Sequence, residues 1–255
     1  MHYDNDVCSG TNWPPGQVLV QTATYNEKGN IAALIEAVLK EVPEAQILVI
    51  DDQSPDGTGD IVQEMAMHDQ RVHLLGRRDR RGLGSAILEG LQTAKSKAFD
   101  IAVYMDADFS HDPKDIPRLL EAMGQENEKT FDIAIGSRRV QGGGTVGWPL
   151  SRQISSWLVC WFTEWILRVP VKDSSGGFRA VRLTLLDDVD VEGISKGYAF
   201  QEDFLWRAHR AGARIIEVPI VFNDREVGSS KADFAEMKRS IGELLKLARI
   251  TWFGF

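Results

Sequence analysis

The sequence ILVIDD at residues 47–52 consists of four apolar residues followed by two aspartates. An uninterrupted apolar run of this kind is typical of a strand that is buried on both faces of a parallel sheet. A second run, IAVYM at residues 101–105, leads in the same way into Asp106 and Asp108. The two stretches therefore predict strands that bring carboxylates to one edge of a sheet, where α/β proteins bind their ligands.

Strand-like and helix-like segments alternate through the first half of the chain. The predicted strands are 18–20, 47–50, 72–75, 101–105 and 131–135, and the predicted helices are 30–41, 60–67, 84–95 and 116–123. This alternation predicts an α/β fold with a mostly parallel, Rossmann-like nucleotide-binding sheet flanked by helices. In the second half we predict helices at 150–168, 200–210 and 233–247, a strand at 215–222, a loop at 142–144 and a polar turn at 173–177.

The composition excludes several classes of protein. The chain has 255 residues, 43% hydrophobic and 26% charged, which is typical of a folded domain. A net charge of -8 argues against nucleic acid as the main partner, because phosphate binding favours a basic face. No stretch reaches the roughly 18 apolar residues of a spanning helix, and the first 17 residues contain no signal-peptide-like apolar run. Two distant cysteines predict free thiols, typical of a reducing cytosol.

The acids at the two strand ends predict different chemistry. Residues i and i+2 of an extended segment point the same way, so Asp106 and Asp108 form a hard oxygen site suited to Mg²⁺ or Mn²⁺. His111 is a weaker candidate ligand, since these ions prefer oxygen. Asp51 and Asp52 either accept hydrogen bonds from a nucleobase or form a turn.

The predicted helix at 150–168 carries Trp157, Trp161 and Trp165 at a spacing of four residues, on one face. Tryptophan is enriched at membrane–water interfaces, so this helix either lies in a headgroup layer or packs in the core.

Several motifs, taken in order and spacing, resemble a known family. The segments at 24–27, 49–58, 81–86, 105–113 and 136–138 are similar to those of GT-A family 2 glycosyltransferases. The later segments at 142–152, 173–180, 196–201, 224–225 and 228–231 resemble those of the dolichol-phosphate mannose synthases. The resemblance extends from about residue 18 to about residue 247.

For the donor side, the resemblance implies a nucleotide pocket, a base-binding acid and a metal site. Ala23, Tyr25 and Glu27 are implied for the pocket. Asp52 is implied for the base, with Asp51 as an additional candidate. Asp106, Asp108 and Ser110 are implied for the metal that holds the diphosphate. Two positions depart from the family pattern, which usually has Pro at Ala23 and often Gln at Ser110. The hydroxyl of Ser110 can also coordinate a metal, directly or through water.

For the acceptor side, the resemblance implies that Arg138, Arg152 and Ser156 receive a lipid phosphate. Arg225 and Lys231 would close over the phosphates of the sugar nucleotide from a mobile loop. Gln201 and Asp203, at the start of a helix, either lie near the sugar hydroxyls or are ordinary N-terminal helix residues.

The expected activity is that of an inverting glycosyltransferase, which moves mannose from GDP-mannose to dolichyl or polyprenyl phosphate with Mg²⁺ or Mn²⁺. UDP-glucose as donor is the main alternative. A nucleotidyltransferase and a non-catalytic sugar-nucleotide-binding subunit are weaker ones. We expect a cytoplasmic protein, peripheral on the cytoplasmic face of a membrane, with a membrane-anchoring partner subunit as a further possibility.

The expected organisation is a flexible arm at 1–16, one GT-A domain at 17–247 and an apolar tail at 248–255. Within the domain, 17–140 would form the nucleotide-sugar half and 141–247 the acceptor half.

Overall fold

A computed structural model describes residues 18–78, 82–124, 130–197, 199–224 and 234–254, without the side chains of 234–237. The strands are β1 (Val18–Thr24), β2 (Gln46–Asp51), β3 (Val72–Gly76), β4 (Ile101–Asp106), β5 (Ile133–Ser137), β6 (Gly144–Val146), β7 (Arg179–Arg182), β8 (Ile215–Pro219) and β9 (Val221–Asn223). The α-helices are α1 (Ile31–Glu41), α2 (Thr58–His68), α3 (Leu83–Ser96), α4 (Ile116–Ala122), α5 (Leu150–Trp165), α6 (Phe200–Arg210) and α7 (Phe234–Phe253). Short 3-10 helices lie at Pro113–Asp115 and Leu183–Asp187.

The main sheet has seven strands in the order β3-β2-β1-β4-β7-β5-β8, and only β7 runs antiparallel to its neighbours. Strands β6 and β9 pair in parallel as a second, small sheet. The predicted mostly parallel α/β sheet is therefore confirmed.

Apolar strand residues alternate between the two faces of the sheet, so that each face builds its own core. Leu19 and Leu48 pack with apolar residues of α3, α6 and α7, whereas their neighbours Val20 and Val49 pack with those of α1, α2 and α4. This is the period-two pattern of a strand covered on both sides. It gives three layers, with the carboxyl ends of β1, β2 and β4 free for a site.

Strand β7 was not predicted from the sequence. It is only four residues long, Arg-Ala-Val-Arg, and it begins with Arg179, a fully buried charged side chain. Neither its length nor its polarity gives a strand signal. The strand forms because its backbone pairs with β4 on one side and with β5 on the other.

Three predicted boundaries were wrong. The strand predicted at 215–222 is two strands in different sheets, because the chain leaves β8 at Pro219 and enters β9 at Val221. Helix α5 ends at Trp165, and the backbone of Arg168 has a φ of 60°, a left-handed conformation that stops a helix. Gly144 of the predicted loop begins β6.

The last helix is longer than expected. Helix α7 continues to Phe253, so that residues 248–253 of the predicted apolar tail are its final turns. The arm predicted at 1–16 lies outside the described residues, and the division into two halves remains a prediction.

Candidate active site

The strand register brings the predicted acids to one edge of the sheet. Thr24 of β1 pairs with Asp51 of β2, and Ala23 pairs with Asp106 of β4. The carboxyl ends of three adjacent strands therefore meet there, as expected from the sequence.

The carboxylate of Asp51 has a structural role. It is buried, and it accepts hydrogen bonds from Thr24 Oγ1 at 2.9 Å, Ser54 N at 2.9 Å and Ser54 Oγ at 2.5 Å. These contacts tie the end of β1 to the loop after β2. Asp51 therefore shapes this loop, and its role in binding a base remains a prediction.

Asp52 forms a bidentate ion pair with Arg77, whose side chain is almost fully buried. Arg77 Nε donates to Oδ1 at 2.6 Å and Nη2 donates to Oδ2 at 2.7 Å. Arg77 Nη1 also donates to Ser85 Oγ at 2.9 Å, so the pair links β2, β3 and the start of α3. Burial raises the pKa of the Asp52 carboxyl. The hydrogen bonds and the charge of Arg77 lower this pKa but do not cancel the effect of burial. A base-binding role for Asp52 would have to share this carboxylate with Arg77.

The loop after β1 is held against the loop after β2 by three backbone donors. The N–H groups of Asn26, Glu27 and Lys28 donate to Ser54 Oγ, Thr58 Oγ1 and Asp56 Oδ2 at 2.9, 3.0 and 3.0 Å. This arrangement places the predicted pocket residues side by side at the end of β1 and in the loop that follows it. The three residues are Ala23 at the end of β1, Tyr25, which is partly exposed, and Glu27, which accepts a hydrogen bond from Asn30 Nδ2.

The candidate metal site lies at the end of β4. No described group donates a hydrogen bond to the carboxylate of Asp106, whose side chain is 31% exposed. Asp108 Oδ1 accepts a hydrogen bond from the buried Ser110 N at 3.0 Å. Opposite lies Gly177, where an added Cβ would stand 3.5 Å from Asp106 Oδ1, so the absence of a side chain leaves space beside the carboxylate.

These residues fit a divalent cation that shares its ligands with a substrate. Among the described residues, no group of three or more His, Cys, Asp or Glu side chains forms a metal cluster. Two carboxylates that leave positions open for water and phosphate oxygens are a typical arrangement for Mg²⁺. Whether Ser110 adds a ligand remains a prediction.

His111 supports this site from inside the protein. Its Nδ1 accepts a hydrogen bond from Asp106 N at 3.2 Å, and its ring packs against Phe178 and Phe222 with centroid distances of 5.1 Å each. Burial lowers the pKa of His111 and so favours the neutral ring. Because Nδ1 is used in this way, His111 orients the strand end.

The start of α6 lies below the same crevice. Gln201 Oε1 accepts a hydrogen bond from Tyr104 at 3.0 Å, and its Nε2 lies 3.6 Å from where a Cβ of Gly177 would be. Asp203 is buried, and its two oxygens accept from Ser195 N and Arg207 Nε at 2.7 Å each. The structure thus brings Gln201 close to the acids, whereas the carboxylate of Asp203 is occupied in anchoring α6.

Glu202 is an acid whose burial was not predicted from the sequence. It is 3% exposed, and burial raises its pKa to about 7, with the charges of Arg179, Asp173 and Arg138 acting as smaller influences. Two consecutive acids at a helix start give no signal of such burial, because acids are common in the first turn of exposed helices.

Arg138, one of the predicted acceptor residues, forms a buried ion pair with Asp173. Arg138 donates to Asp173 through its backbone N, Nε and Nη2, at 2.8, 2.7 and 2.6 Å. Burial alone would raise the pKa of Asp173 and lower that of Arg138. Their mutual hydrogen bonds and charges outweigh it, so the pKa of Asp173 is lowered and that of Arg138 is raised.

A hydroxyl pair connects Arg138 to its neighbour Arg139. Arg138 Nη2 donates to Ser175 Oγ at 2.9 Å, Ser175 and Ser156 share a hydrogen bond of 3.0 Å, and Arg139 Nη2 donates to Ser156 Oγ at 3.0 Å. Ser156 is therefore bonded to Arg139 and linked through Ser175 to the predicted Arg138, and its phosphate-binding role remains a prediction. Arg139 was not predicted, although it directly follows Arg138 in the chain.

Arg152 approaches the same place from α5. It pairs with Asp224 at 2.6 Å, and its Cζ lies 4.2 Å from the ring centroid of Trp148, while the Cζ of Arg138 lies 4.9 Å from that centroid. Two arginines, Arg138 and Arg152, thus lie against one indole ring, and both are predicted acceptor residues.

Beside these groups is a cavity of about 370 Å³. Its wall combines cationic and apolar side chains. The lining residues are Arg138, Arg139, Gly144, Thr145, Trp148, Leu150, Gln153, Ile154 and Trp157. Such a wall suits a ligand with an anionic head and an apolar body. The predicted lid residues Arg225 and Lys231 lie outside the described residues.

The fold resembles that of solved nucleotide-sugar enzymes. It matches glucosyl-3-phosphoglycerate synthase from Mycobacterium tuberculosis in complex with Mn²⁺, UDP and glucosyl-3-phosphoglycerate with a TM-score of 0.63 and 17% identity, over 92% of this chain and 79% of that chain. The same enzyme in complex with Mg²⁺ and UDP gives a TM-score of 0.64 at 17% identity, over 92% and 79% of the two chains. The fold is therefore a GT-A fold. The match to a glycosyl transferase family model shows that the class of protein is a glycosyltransferase.

The sequence comparisons narrow the class to a family. The model of glycosyl transferase family 2 matches residues 20–189, and the chain belongs to this family. It is 44% identical to an undecaprenyl-phosphate mannosyltransferase of Micrococcus luteus over 84% of this chain and 87% of that protein. It is 39% identical to a polyprenol monophosphomannose synthase of Mycolicibacterium smegmatis, over 89% and 85% of the two chains. These findings confirm the resemblance stated from the motifs.

The ion pair between Asp173 and Arg138 yields a stability prediction. We expect Asp173→Asn to lower the free energy of unfolding by about 3–5 kcal/mol, because it leaves a buried guanidinium uncompensated. The matched control is Glu164→Gln, which removes the partner of the exposed Lys172 and should leave the unfolding midpoint unchanged in urea. Equal effects of the two substitutions would contradict the assignment.

The pKa of Glu202 predicts how stability depends on pH. A carboxyl whose pKa is about 7 in the folded chain and 4.5 unfolded contributes stability below pH 4.5 that is lost as the pH rises through 7. Glu202→Gln removes this loss. The stability of the variant relative to the wild type should therefore increase from pH 5 to pH 8, by on the order of 3 kcal/mol. Urea unfolding of both proteins at each pH measures the difference, and a constant difference would refute the prediction.

Proposed function

We propose that the chain transfers mannose from GDP-mannose to the phosphate of a polyprenol and inverts the anomeric centre. The observation that carries this proposal is the cavity of about 370 Å³, in which arginines and apolar side chains line one wall. A polyprenyl phosphate has the matching chemistry, an anionic head on an apolar chain. The names of the two relatives, both mannose transferases to polyprenol carriers, support the same acceptor and the same sugar.

The residues of the site are suited to a transfer between two anions. A phosphate monoester is already largely ionised at pH 7, so the attacking oxygen needs no strong general base. Asp106 and Asp108 would hold a divalent metal, which neutralises the leaving diphosphate as a Lewis acid. The arginines around Trp148 hold the acceptor phosphate, whose negative charge would otherwise repel the donor.

The geometry of the transfer follows from this arrangement. Attack of the acceptor oxygen from the side opposite the leaving diphosphate forms a new carbon–oxygen bond as the old one breaks. An α-linked donor then yields a β-linked product. Ala23, Tyr25 and Glu27 would line the nucleotide pocket, with Gln201 close to the sugar. Arg225 and Lys231 are proposed to close over the donor phosphates.

GDP-mannose is proposed over UDP-glucose as the donor. The two curated relatives are mannosyl enzymes by name, whereas UDP is found in solved structures whose 17% identity supports the fold alone. A glucosyl donor remains the alternative that the assay must include.

The protein meets its lipid acceptor at a membrane surface, we propose, through one face of α5. No helix of the described residues is long and apolar enough to cross a membrane. Helix α5 instead exposes an apolar stripe, and its exposed members are Leu150, Ile154, Trp157, Leu158, Trp161 and Trp165. The end of α7 continues this stripe, because Trp252 Nε1 donates to Ile166 O at 2.9 Å and Phe253 is exposed.

This stripe adjoins the proposed acceptor site. Three of its residues, Leu150, Ile154 and Trp157, also line the cavity. A membrane lying on α5 would therefore deliver the lipid directly to the arginines, on what we propose is the cytoplasmic face. An anchoring partner subunit is the alternative occupant of the same surface.

The transferase activity can be tested with a single assay. Purified protein, labelled GDP-mannose, polyprenyl phosphate and Mg²⁺ or Mn²⁺ should yield label in the organic phase, and chelation of the metal should abolish it. Asp108→Asn should lower the rate at least about 100-fold, because a Lewis acid stabilises the transition state by several kcal/mol. The control is Asp100→Asn, an exposed acid at the opposite end of β4. Label from UDP-glucose but not from GDP-mannose would show that the proposed donor is wrong.

Membrane binding predicts a second result, measured by flotation with phosphatidylglycerol and phosphatidylcholine vesicles. We expect Trp161→Gln with Trp165→Gln to weaken the partition by roughly tenfold or more, since burying a large apolar side chain is worth about 1.5–3 kcal/mol. The control is Met67→Gln, which removes an exposed apolar side chain on α2. Unchanged flotation of the double variant would argue instead for a partner subunit.

A further inference from the structure

The cationic wall of the cavity is not uniform. In the wall, Arg138 is bound in a bidentate pair by Asp173. Arg152, which lies near the cavity but does not line it, is paired with Asp224. Both guanidinium charges are thus balanced by a neighbouring carboxylate. For Arg139, by contrast, no carboxylate of the described residues lies within ion-pair distance, and its hydrogen-bond partner is the neutral Ser156 Oγ at 3.0 Å.

Two N–H donors of the same wall lack any partner. Arg139 Nε and Trp148 Nε1 are both buried and without a hydrogen bond among the described residues. A buried donor left unpaired costs about 1–3 kcal/mol, so such groups usually have a role. Both residues line the cavity of about 370 Å³, and a phosphate has the several acceptor oxygens that two donors need.

The hydroxyl next to Arg139 adds a third donor. Arg139 Nη2 and Arg138 Nη2 donate to Ser156 Oγ and Ser175 Oγ, and the two hydroxyls share one hydrogen bond. Each hydroxyl carries a single proton, and the shared bond uses only one of the two. When Ser175 supplies that proton, the proton of Ser156 is available to a ligand beside Arg139.

We propose that Arg139, with the indole N–H of Trp148, adds a further contact to the phosphate of the isoprenoid acceptor, beside Arg138, which Asp173 holds in place. This inference rests on the proposed function and assigns its acceptor contact to a residue that the family resemblance did not indicate. Arg139 supplies the unbalanced positive charge and the planar donor edge that matches phosphate oxygens. Trp148 supplies a directional donor, and the apolar side chains of α5 receive the first isoprene units.

The experiment measures binding by calorimetry with farnesyl phosphate, farnesol and inorganic phosphate as probes. Arg139→Gln should weaken farnesyl phosphate binding at least about tenfold, since a hydrogen bond to a charged group is worth about 1.5–3 kcal/mol. Arg139→Lys should recover part of the loss, because it keeps the charge but not the fork. Trp148→Phe keeps an aromatic ring and should weaken binding about three- to tenfold. Farnesol binding should be unchanged in all three.

The control is Arg210→Gln, which removes an exposed arginine on the last turn of α6, and each variant is first checked for wild-type unfolding by urea. Wild-type affinity of Arg139→Gln for farnesyl phosphate would overturn the proposal. So would an equal loss of farnesol binding, which would indicate packing, or equal affinity for inorganic phosphate, which would indicate a free-anion site. A wild-type protein that binds none of the probes would overturn it as well.

A mannosyl transfer assay on the same proteins separates this inference from the proposed function. Transfer by the wild type and by Arg139→Gln at equal KM for the acceptor would keep the function and remove the role of Arg139. Binding of farnesyl phosphate that depends on Arg139, without transfer from any donor, would keep the phosphate site and remove the transferase assignment. A raised acceptor KM with an unchanged KM for GDP-mannose supports both.

Discussion

The buried ion pair between Arg138 and Asp173 joins the parts of the site on the acceptor side. Arg138 follows β5, and Asp173 lies in the turn that leads to β7. Their bonds at 2.6–2.8 Å therefore join the end of β5 to the segment before the antiparallel strand β7. The pair also fixes the partner hydroxyl Ser175, and through it Ser156 on α5. The position of the apolar helix and of the cavity wall therefore depends on this contact.

Such a pair makes the arginine rigid but also balances its charge. A guanidinium that is desolvated and paired costs much to disturb, and it attracts a further anion less than an unpaired one does. The same division holds on the donor side, where Arg77 fully engages Asp52, whereas the carboxylate of Asp106 is free of donors in the described structure. On both sides of the site, one charged residue is held in an ion pair, as Asp52 and Arg138 are, while another, Asp106 or Arg139, keeps atoms that a ligand can contact.

In the proposed function, the cavity and the exposed face of α5 bind the two ends of one lipid acceptor. The apolar stripe of α5 lies outside and the arginines lie inside, and the side chains of Leu150, Ile154 and Trp157 belong to both. A ligand with one charged end and a long apolar chain can satisfy both parts without leaving apolar surface in water. A water-soluble acceptor would not bury the exposed tryptophans of α5.

The sequence by itself determined the layered sheet, the placement of the acids at its edge and the family. Apolar runs such as 47–50 and the acids that follow them are local patterns, and the parallel direction of the strands brings those acids to one edge. The sequence likewise predicted Arg138, Arg152 and Ser156 near one another. Their partners were decided only by the tertiary structure. That Asp52 is engaged by Arg77, that Asp203 anchors a helix, and that Arg139 keeps an unpaired donor depend on contacts between residues far apart in the chain. Charge and spacing in a sequence do not reveal such pairings, because an ion pair depends on which side chains the packed core brings within a few ångströms.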